Sequence, residues 1–353
     1  MSEQSQGMNS KGLDFARRVV RWQTSHGRHD LPWQNTRDPY RVWLSEIMLQ
    51  QTQVSTVLDY YARFLARFPD VQTLALAQPD DVLALWSGLG YYSRARNLHA
   101  CAQQVLHLYG GEFPRSAQGL QTLPGIGRST AAAVASLCFS ERVAILDGNV
   151  KRVVTRFLGF DKDLALSAHE RTLWDLASGL LPQHAVEQSM PRYTQGVMDL
   201  GATLCLRKKP QCESCPLADD CVARQQGAAQ RYPVKSRKLK RSAQSFWLLW
   251  AQRSDGAVWL SQRPSPGIWG GLYCFALFDS REALQAAVPA QQHQALQDEP
   301  AFTHVLTHKD LHLHPVKLGW SARADVEGSG DWFGTERWAQ LGLPAPVRKL
   351  LQA

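Results

Sequence analysis

Nowhere in its 353 residues does the sequence carry an apolar run approaching the roughly 20 residues that span a bilayer, which excludes a helical membrane protein. Met1–Ser10 is polar and lacks an apolar stretch behind basic residues, so no secretory leader and a cytoplasmic location are expected. Heptads, internal repeats and low-complexity tracts are missing too, and the expected state is a monomer with no membrane partner. Cysteine is scarce, at seven, and poorly distributed for disulfides: Cys101, Cys138 and Cys274 stand singly in apolar sequence, while Cys205, Cys212, Cys215 and Cys221 crowd one short segment. Crowding of that kind indicates a metal site. Acidic residues are outnumbered, 31 Asp and Glu against 39 Lys and Arg, and the formal charge of +8 favours a polyanionic partner without identifying it.

Strand signals are nearly absent between Asp14 and about Leu204. Apolar residues there recur at three and four: Val42, Leu44, Ile47, Met48, then Val54, Val57, Leu58, Tyr61, Phe64, Leu65. Proline punctuates the helices, with Asp38-Pro39 opening one, Phe68-Pro69 closing another, Gln78-Pro79-Asp80 starting a third and Phe113-Pro114 preceding a fourth. After Cys221 the stretch Arg224–Arg241 is polar and basic, including Lys235, Arg237, Lys238, Lys240 and Arg241. Beyond it come short β-prone runs, Ser245–Ala251, Ala257–Gln262, Leu272–Leu277 and His312–Leu318, with helices expected near Arg281–Val288 and Thr335–Leu341. The chain is read as multi-domain: an all-α domain over 10–225 that includes the cysteines at 205–221, a basic linker over 226–241, and an α+β domain over 242–353.

One motif stands out in the helical half, Leu123-Pro124-Gly125-Ile126-Gly127-Arg128-Ser129-Thr130, followed by the small-residue helix Ala131–Leu137. Gly125 and Gly127 allow a tight hairpin with φ > 0, and the amides at the following helix start present partial positive charge. Such a turn can cradle a phosphate and position DNA without reading its sequence. About twenty residues on, Asp147-Gly148-Asn149-Val150 follows the apolar run Val143–Leu146. By itself Asp-Gly is also a common turn.

The hairpin, the Asp147 segment and the terminal cysteines, in this order, resemble the endonuclease III superfamily of helix-hairpin-helix glycosylases. The resemblance implies that Asp147, with Asn149 beside it, faces the sugar of a flipped nucleotide and stabilises or traps the oxocarbenium ion formed when the N-glycosidic bond breaks. Members that also nick the backbone carry a lysine shortly after the hairpin's basic residue, and its amine forms a Schiff base. This chain has Ser129 in that region, so base removal without efficient strand cleavage is expected. Glu46 lies in Trp43–Val54 among Leu44, Ile47 and Met48, surroundings that raise a carboxyl pKa; the alternative is a solvent-facing helical Glu. A protonated Glu46 can act as general acid towards a ring nitrogen, most plausibly N7, without which adenine leaves poorly.

Leu31-Pro32-Trp33, the Glu46 helix through Gln50-Gln51-Thr52-Gln53, and Leu89–Arg96 resemble the adenine DNA glycosylase (MutY) family specifically. That resemblance implies a duplex-DNA partner carrying adenine opposite 8-oxoguanine or guanine. Gln51 and Tyr91 would insert near the lesion, Leu31 and Trp33 would wall the adenine pocket, and Arg28 and Gln195 would touch the adenine edge. Four thiolates spaced as Cys205-x6-Cys212-x2-Cys215-x5-Cys221 suit either zinc or iron–sulfur by ligand type; the spacing resembles that of the superfamily's [4Fe–4S] cluster. Arg207, Lys208 and Lys209, between the first two cysteines, would then meet the DNA backbone.

The C-terminal half resembles the Nudix-like module of the same family, chiefly at Pro266–Tyr273, but lacks the Glu-rich helix with which Nudix hydrolases bind magnesium. Pyrophosphatase activity is therefore not expected. Where the family has a Phe-Ser-His loop against the oxidised guanine, this chain has Leu306-Thr307-His308; Thr307 and His308 are the expected contacts, with the aromatic wedge lost and a hydroxyl kept. His312 and His314 alternate as on a strand and read as structural.

Overall fold

The computed structural model describes residues 3–236, 240–320 and 329–352, with side chains from residue 12 onward; residues 237–239 of the expected linker lie outside the described set. Among the described residues twelve α-helices occupy the first part of the chain: α1 Glu3–His26, α2 Pro39–Leu49, α3 Val54–Arg67, α4 Val71–Ala75, α5 Pro79–Leu85, α6 Ser93–Tyr109, α7 Ala117–Leu120, α8 Arg128–Phe139, α9 Gly148–Leu158, α10 Ser167–Gly179, α11 Val186–Thr203 and α12 Val222–Gln225. The chain divides into two compact units. One comprises Met1–Tyr61, Phe68–Ala75 and Ala100–Lys238; the other comprises Ala62–Arg67, Leu76–His99 and Leu239–Ala353. Two pieces of the helical region, 62–67 and 76–99, therefore group with the C-terminal sheet.

Within the first unit, local chemistry sets the helix ends. Asp38 caps α2, its carboxylate accepting from the Tyr40 N–H at 2.9 Å, and Pro39 supplies the pre-set φ of a first helical residue. Asp147 caps α9 in the same way, and Gly159 (φ 65°) ends it in the left-handed conformation. The centre of the unit is α11, which packs on α1, α8 and α9, while α2 and α7 pack on α8. Phe15, Val19, Val153, Phe157, Leu173, Met190, Val197 and Leu200 fill the space between. The close approach of α1 to α11 depends on Gly196, where a Cβ would come within 2.9 Å of Val19 and Gln23 side-chain atoms. Part of the expected linker is fastened to this unit: Tyr232 is buried, Leu164 N–H donates to Val234 O at 3.0 Å, and Ser236 bonds the Asp163 carboxylate.

The second unit is built on an eight-stranded mixed sheet: β1 Ser242–Gln252, β2 Val258–Gln262, β3 Tyr273–Cys274, β4 Ala276–Phe278, β5 Gln297–Asp298, β6 Phe302–Val305, β7 Lys309–Gly319 and β8 Gly330–Phe333. The long strands β1 and β7 run parallel through the middle, from Ser242↔Lys309 to Gln252↔Gly319. Leu248, Leu311, Leu313 and Leu318 are inaccessible. A helix, α13 Arg281–Ala286, packs on β1 and β4; α14 Thr335–Ala339 packs on β8, and α15 Ala345–Leu351 follows. Three of the four expected strands are present, and the fourth, Leu272–Leu277, is divided at Phe275 into β3, which pairs with β2, and β4, which pairs with β1. The short strands β5, β6 and β8 and the helix α15 were not anticipated.

Candidate active site

Glu46 is on α2 and Asp147 at the N-terminus of α9: α2 packs on α8, Gln50 approaches Thr130 at 3.5 Å, and α11 packs on both α8 and α9. The two carboxylates meet electrostatically. Burial pushes Glu46 up to about 7, and the negative charge of Asp147 adds to the rise. Asp147 is raised by burial as well, but there the backbone N–H groups of Val150 and Asn149 and the charge of Arg152 pull the other way. The Val150 N–H donates to Asp147 Oδ1 at 2.6 Å. The two carboxyls differ in their surroundings: Asp147 sits at a helix N-terminus with N–H groups turned towards it, where an anion is favoured.

Asn149 stands beside Asp147, its Oδ1 accepting from Arg152 Nη2 at 2.8 Å and its backbone pressed so close to Gly201 of α11 that a Cβ there would lie 2.7 Å from the Asn149 Cβ. The hairpin before α8 departs from expectation in one respect. Gly125 has φ 74°, but Gly127 caps α8 with an ordinary φ of −81°, so a single left-handed residue makes the turn. Ile126 anchors the loop in the core, while Gly125 and Gly127 lie at the surface with open space around Gly127. Ser129 occupies the first turn of α8 and provides no amine.

Leu31 and Trp33 are buried, and the Trp33 ring meets Tyr61 edge-on at 5.2 Å. Gln51 is exposed with φ 57°, and in the second unit Tyr91 is 41% exposed with φ 49°. Left-handed backbone is strained for such residues, and both are thrust into solvent on loop tips. Arg28 and Gln195 do converge, but on a residue the sequence did not single out, the buried Asp199 of α11.

In the second unit Tyr91 and Thr307 join hydroxyl to hydroxyl at the rim of a cleft of about 500 Å³ that Arg96, Trp269, His304 and His308 also line. Arg241, expected to be a linker charge, instead clasps the turn bearing Thr307: its guanidinium donates to Leu306 O at 3.1 Å, to Thr307 O at 3.3 Å and to the Asp310 carboxylate. His312 bonds Thr303, and His314 stacks on Trp247 at 4.4 Å, consistent with structural roles.

Cys205, Cys212, Cys215 and Cys221 line one small cavity with Pro210 and Arg156. Among the described residues no three His, Cys, Asp or Glu side chains are gathered tightly enough for a single metal ion. Four thiols around a void suit a cluster of several irons, each taking one thiolate. Arg156, nearly inaccessible on α9, donates to Cys205 Sγ at 3.3 Å and Leu206 O at 2.7 Å, an N–H partner suited to a charged sulfur. Arg207, Lys208 and Lys209 are exposed.

Three family models match the chain: base excision DNA repair proteins of the HhH-GPD superfamily over 44–178, the iron–sulfur binding domain of endonuclease III over 205–221, and the NUDIX domain over 247–353. An adenine DNA glycosylase of Buchnera aphidicola (subsp. Acyrthosiphon pisum) is 35% identical over 345 residues, 96% of this chain and 97% of the relative. The chain belongs to the adenine DNA glycosylase family. The Homo sapiens adenine DNA glycosylase is 41% identical over 221 residues, 60% of this chain and 39% of that protein. Among solved structures, a thermostable thymine-DNA glycosylase superimposes with a TM-score of 0.54 at 29% identity, covering 62% of this chain and 98% of that one. As a member of the family, the protein is a DNA glycosylase of base excision repair that binds DNA and carries a [4Fe–4S] cluster. No helix among the described residues is long and apolar enough to cross a membrane.

Proposed function

We propose that the protein is a monofunctional adenine DNA glycosylase acting on adenine mispaired with 8-oxoguanine or guanine after the adenine has flipped out of the duplex. The observation that carries this reading is the electrostatic coupling of a Glu46 carboxyl raised to about 7 with an Asp147 carboxyl held by backbone N–H groups at a helix N-terminus. Glu46 donates its proton to adenine N7 and Asp147 stabilises the cationic sugar, with Asn149 alongside. Leu31 and Trp33 wall the base, and Arg28 and Gln195 serve its polar edge. Gln51 and Tyr91 fill the gap left in the stack, while Gly125, Gly127 and Ser129 hold a backbone phosphate. Thr307 and His308 read the opposite base. Cys205, Cys212, Cys215 and Cys221 hold the cluster, whose contribution is to fix the exposed Arg207–Lys209 loop for the DNA backbone. The helical domain spans 10–225, the linker 226–241 and the lesion-reading domain 242–353, in a cytoplasmic monomer that in a bacterium would work at the nucleoid.

A duplex with adenine opposite 8-oxoguanine should acquire an alkali-labile site at the adenine, with little scission before alkali and no borohydride-trapped adduct. Intact strands after alkali would sink the reading, and an efficiently trapped adduct would replace it with a lyase. Cys212→Ser should purify with iron well below four per chain and lose the cluster's visible absorbance. Stoichiometric zinc in the colourless unaltered protein would exclude the cluster ligation.

A further inference from the structure

Arg128, the first residue of α8, is an exposed cation whose guanidinium carbon lies 4.0 Å from the centre of the Trp174 ring on α10. Trp174 itself is buried, packed into the core of the helical unit with Leu173 and Ala177. A ring fixed in this way is a platform. Its face attracts the cation, tryptophan more strongly than other aromatics, and it gives one place to a long side chain that would otherwise sample many rotamers.

The position is unfavourable for a cation left to itself. α8 starts at Arg128, its first turn holds no acidic residue, and the end of a helix from which the N–H groups emerge is already positive. Among the described residues it is the Trp174 face, and no carboxylate, that holds the Arg128 guanidinium. Stacking differs from an ion pair in what it leaves over. The N–H donors of a guanidinium point outward in its own plane, so a ring face can hold the group without occupying a donor. The edge of Arg128 therefore remains ready for an anion arriving from solvent. Its chain neighbours say which one: Gly127, with open space around it, and Ser129 flank Arg128 in the turn proposed above to hold a backbone phosphate.

We infer that Arg128 is a further phosphate ligand of this hairpin and that Trp174 is the positioning residue that holds it ready for the DNA backbone. The inference rests on the hairpin reading given above and adds one charge to it. A phosphate contact carries no sequence information, so Arg128 contributes to affinity equally on matched and mismatched duplexes. Trp174 contributes by removing beforehand the freedom that Arg128 would lose on binding.

The test is equilibrium binding over a range of salt concentrations, to a matched duplex and to one with an uncleavable adenosine analogue opposite 8-oxoguanine, so that no excision is needed. Arg128→Met should weaken both by the same factor, about tenfold at moderate salt, and should flatten the plot of log affinity against log salt by about 0.9, the counterion release of one phosphate. Arg128→Lys, still charged but without the flat fork, should keep the slope and fall between the two in affinity. Trp174→Leu should cost about threefold in the unaltered background and nothing further beside Arg128→Met, because Trp174 acts through Arg128. If Trp174→Leu does not fold by circular dichroism, Trp174→Phe replaces it, with a cost of about twofold alone and none beside Arg128→Met. An unchanged slope in Arg128→Met overturns the inference, as does a loss confined to the mismatched duplex. A Trp174 variant that costs as much beside Arg128→Met as without it is a core defect and overturns the positioning role. Ser129→Asp is the control for the hairpin: a negative charge in the turn should weaken both duplexes. No loss there sinks the hairpin reading, whereas a loss there with an unmoved Arg128→Met slope sinks only the role of Arg128.

Discussion

Asp147→Asn should bind a mismatched duplex within about threefold of the unaltered protein while excising adenine at least about 10³-fold more slowly, the scale expected when a group opposing developing charge is removed. The two halves of this expectation have separate physical origins. Asp147 has a structural job, accepting the Val150 N–H at 2.6 Å and so capping α9. Asparagine caps a helix start as well as aspartate does, so the fold and the Asn149 contacts around it should survive. The negative charge does not survive, and with it goes the group that opposes positive charge on the sugar. Equilibrium binding to a duplex with a non-cleavable adenosine analogue measures the first half, and single-turnover excision measures the second. If binding and excision fell together, the cap would be the whole role of Asp147; excision within tenfold of normal would remove it from the chemistry.

The parts of this site legible in the sequence are those written in short segments. Asp38-Pro39 specifies a helix start by itself, and the structure has the Asp38 cap and the Pro39 first turn. Glu46 among Leu44, Ile47 and Met48 already implied a partly desolvated carboxyl, because apolar residues flanking it on several sides mark a helix buried over most of its circumference. Asp199 gave no such signal. In sequence it is one acid on an amphipathic helix, and what buries it is Arg28, 171 residues away. Arg241 was misread for the same reason: a basic residue in a basic stretch looks solvated until β1 and β7 pair and bring the Leu306–Asp310 turn within its reach. The parallel pairing itself is non-local, and it extends β1 to Ser242–Gln252 beyond the run Ser245–Ala251 that alternation alone supports. Gly127 was read as a second left-handed residue because glycine permits that conformation; the neighbouring helix start required ordinary extended backbone there.

Glu46→Gln should slow excision by about 10² to 10⁴, the usual range for loss of a general acid, and should at the same time stabilise the protein at alkaline pH. The stability effect follows from the direction of the shift. A carboxyl raised from 4.5 to about 7 on folding holds its proton more tightly in the native chain than in the unfolded one. Native stability therefore falls as pH rises between those two values and stays lowered above them, where burial and the Asp147 charge both act against an ionised Glu46. Glutamine cannot ionise, so the variant escapes the loss: it should melt at a higher temperature than the unaltered protein at pH 8, by about 1–2 kcal/mol after allowance for the partial exposure of Glu46, and the gain should vanish towards pH 4.5. Over the same interval the unaltered protein's single-turnover rate should decline on the alkaline side of about pH 7 as the donor loses its proton, whereas the residual rate of the variant should be flat there. Melting curves that differ by the same amount at pH 4.5 and pH 8 would mean that Glu46 is solvated and ordinary, and the acid in this site would have to be sought elsewhere.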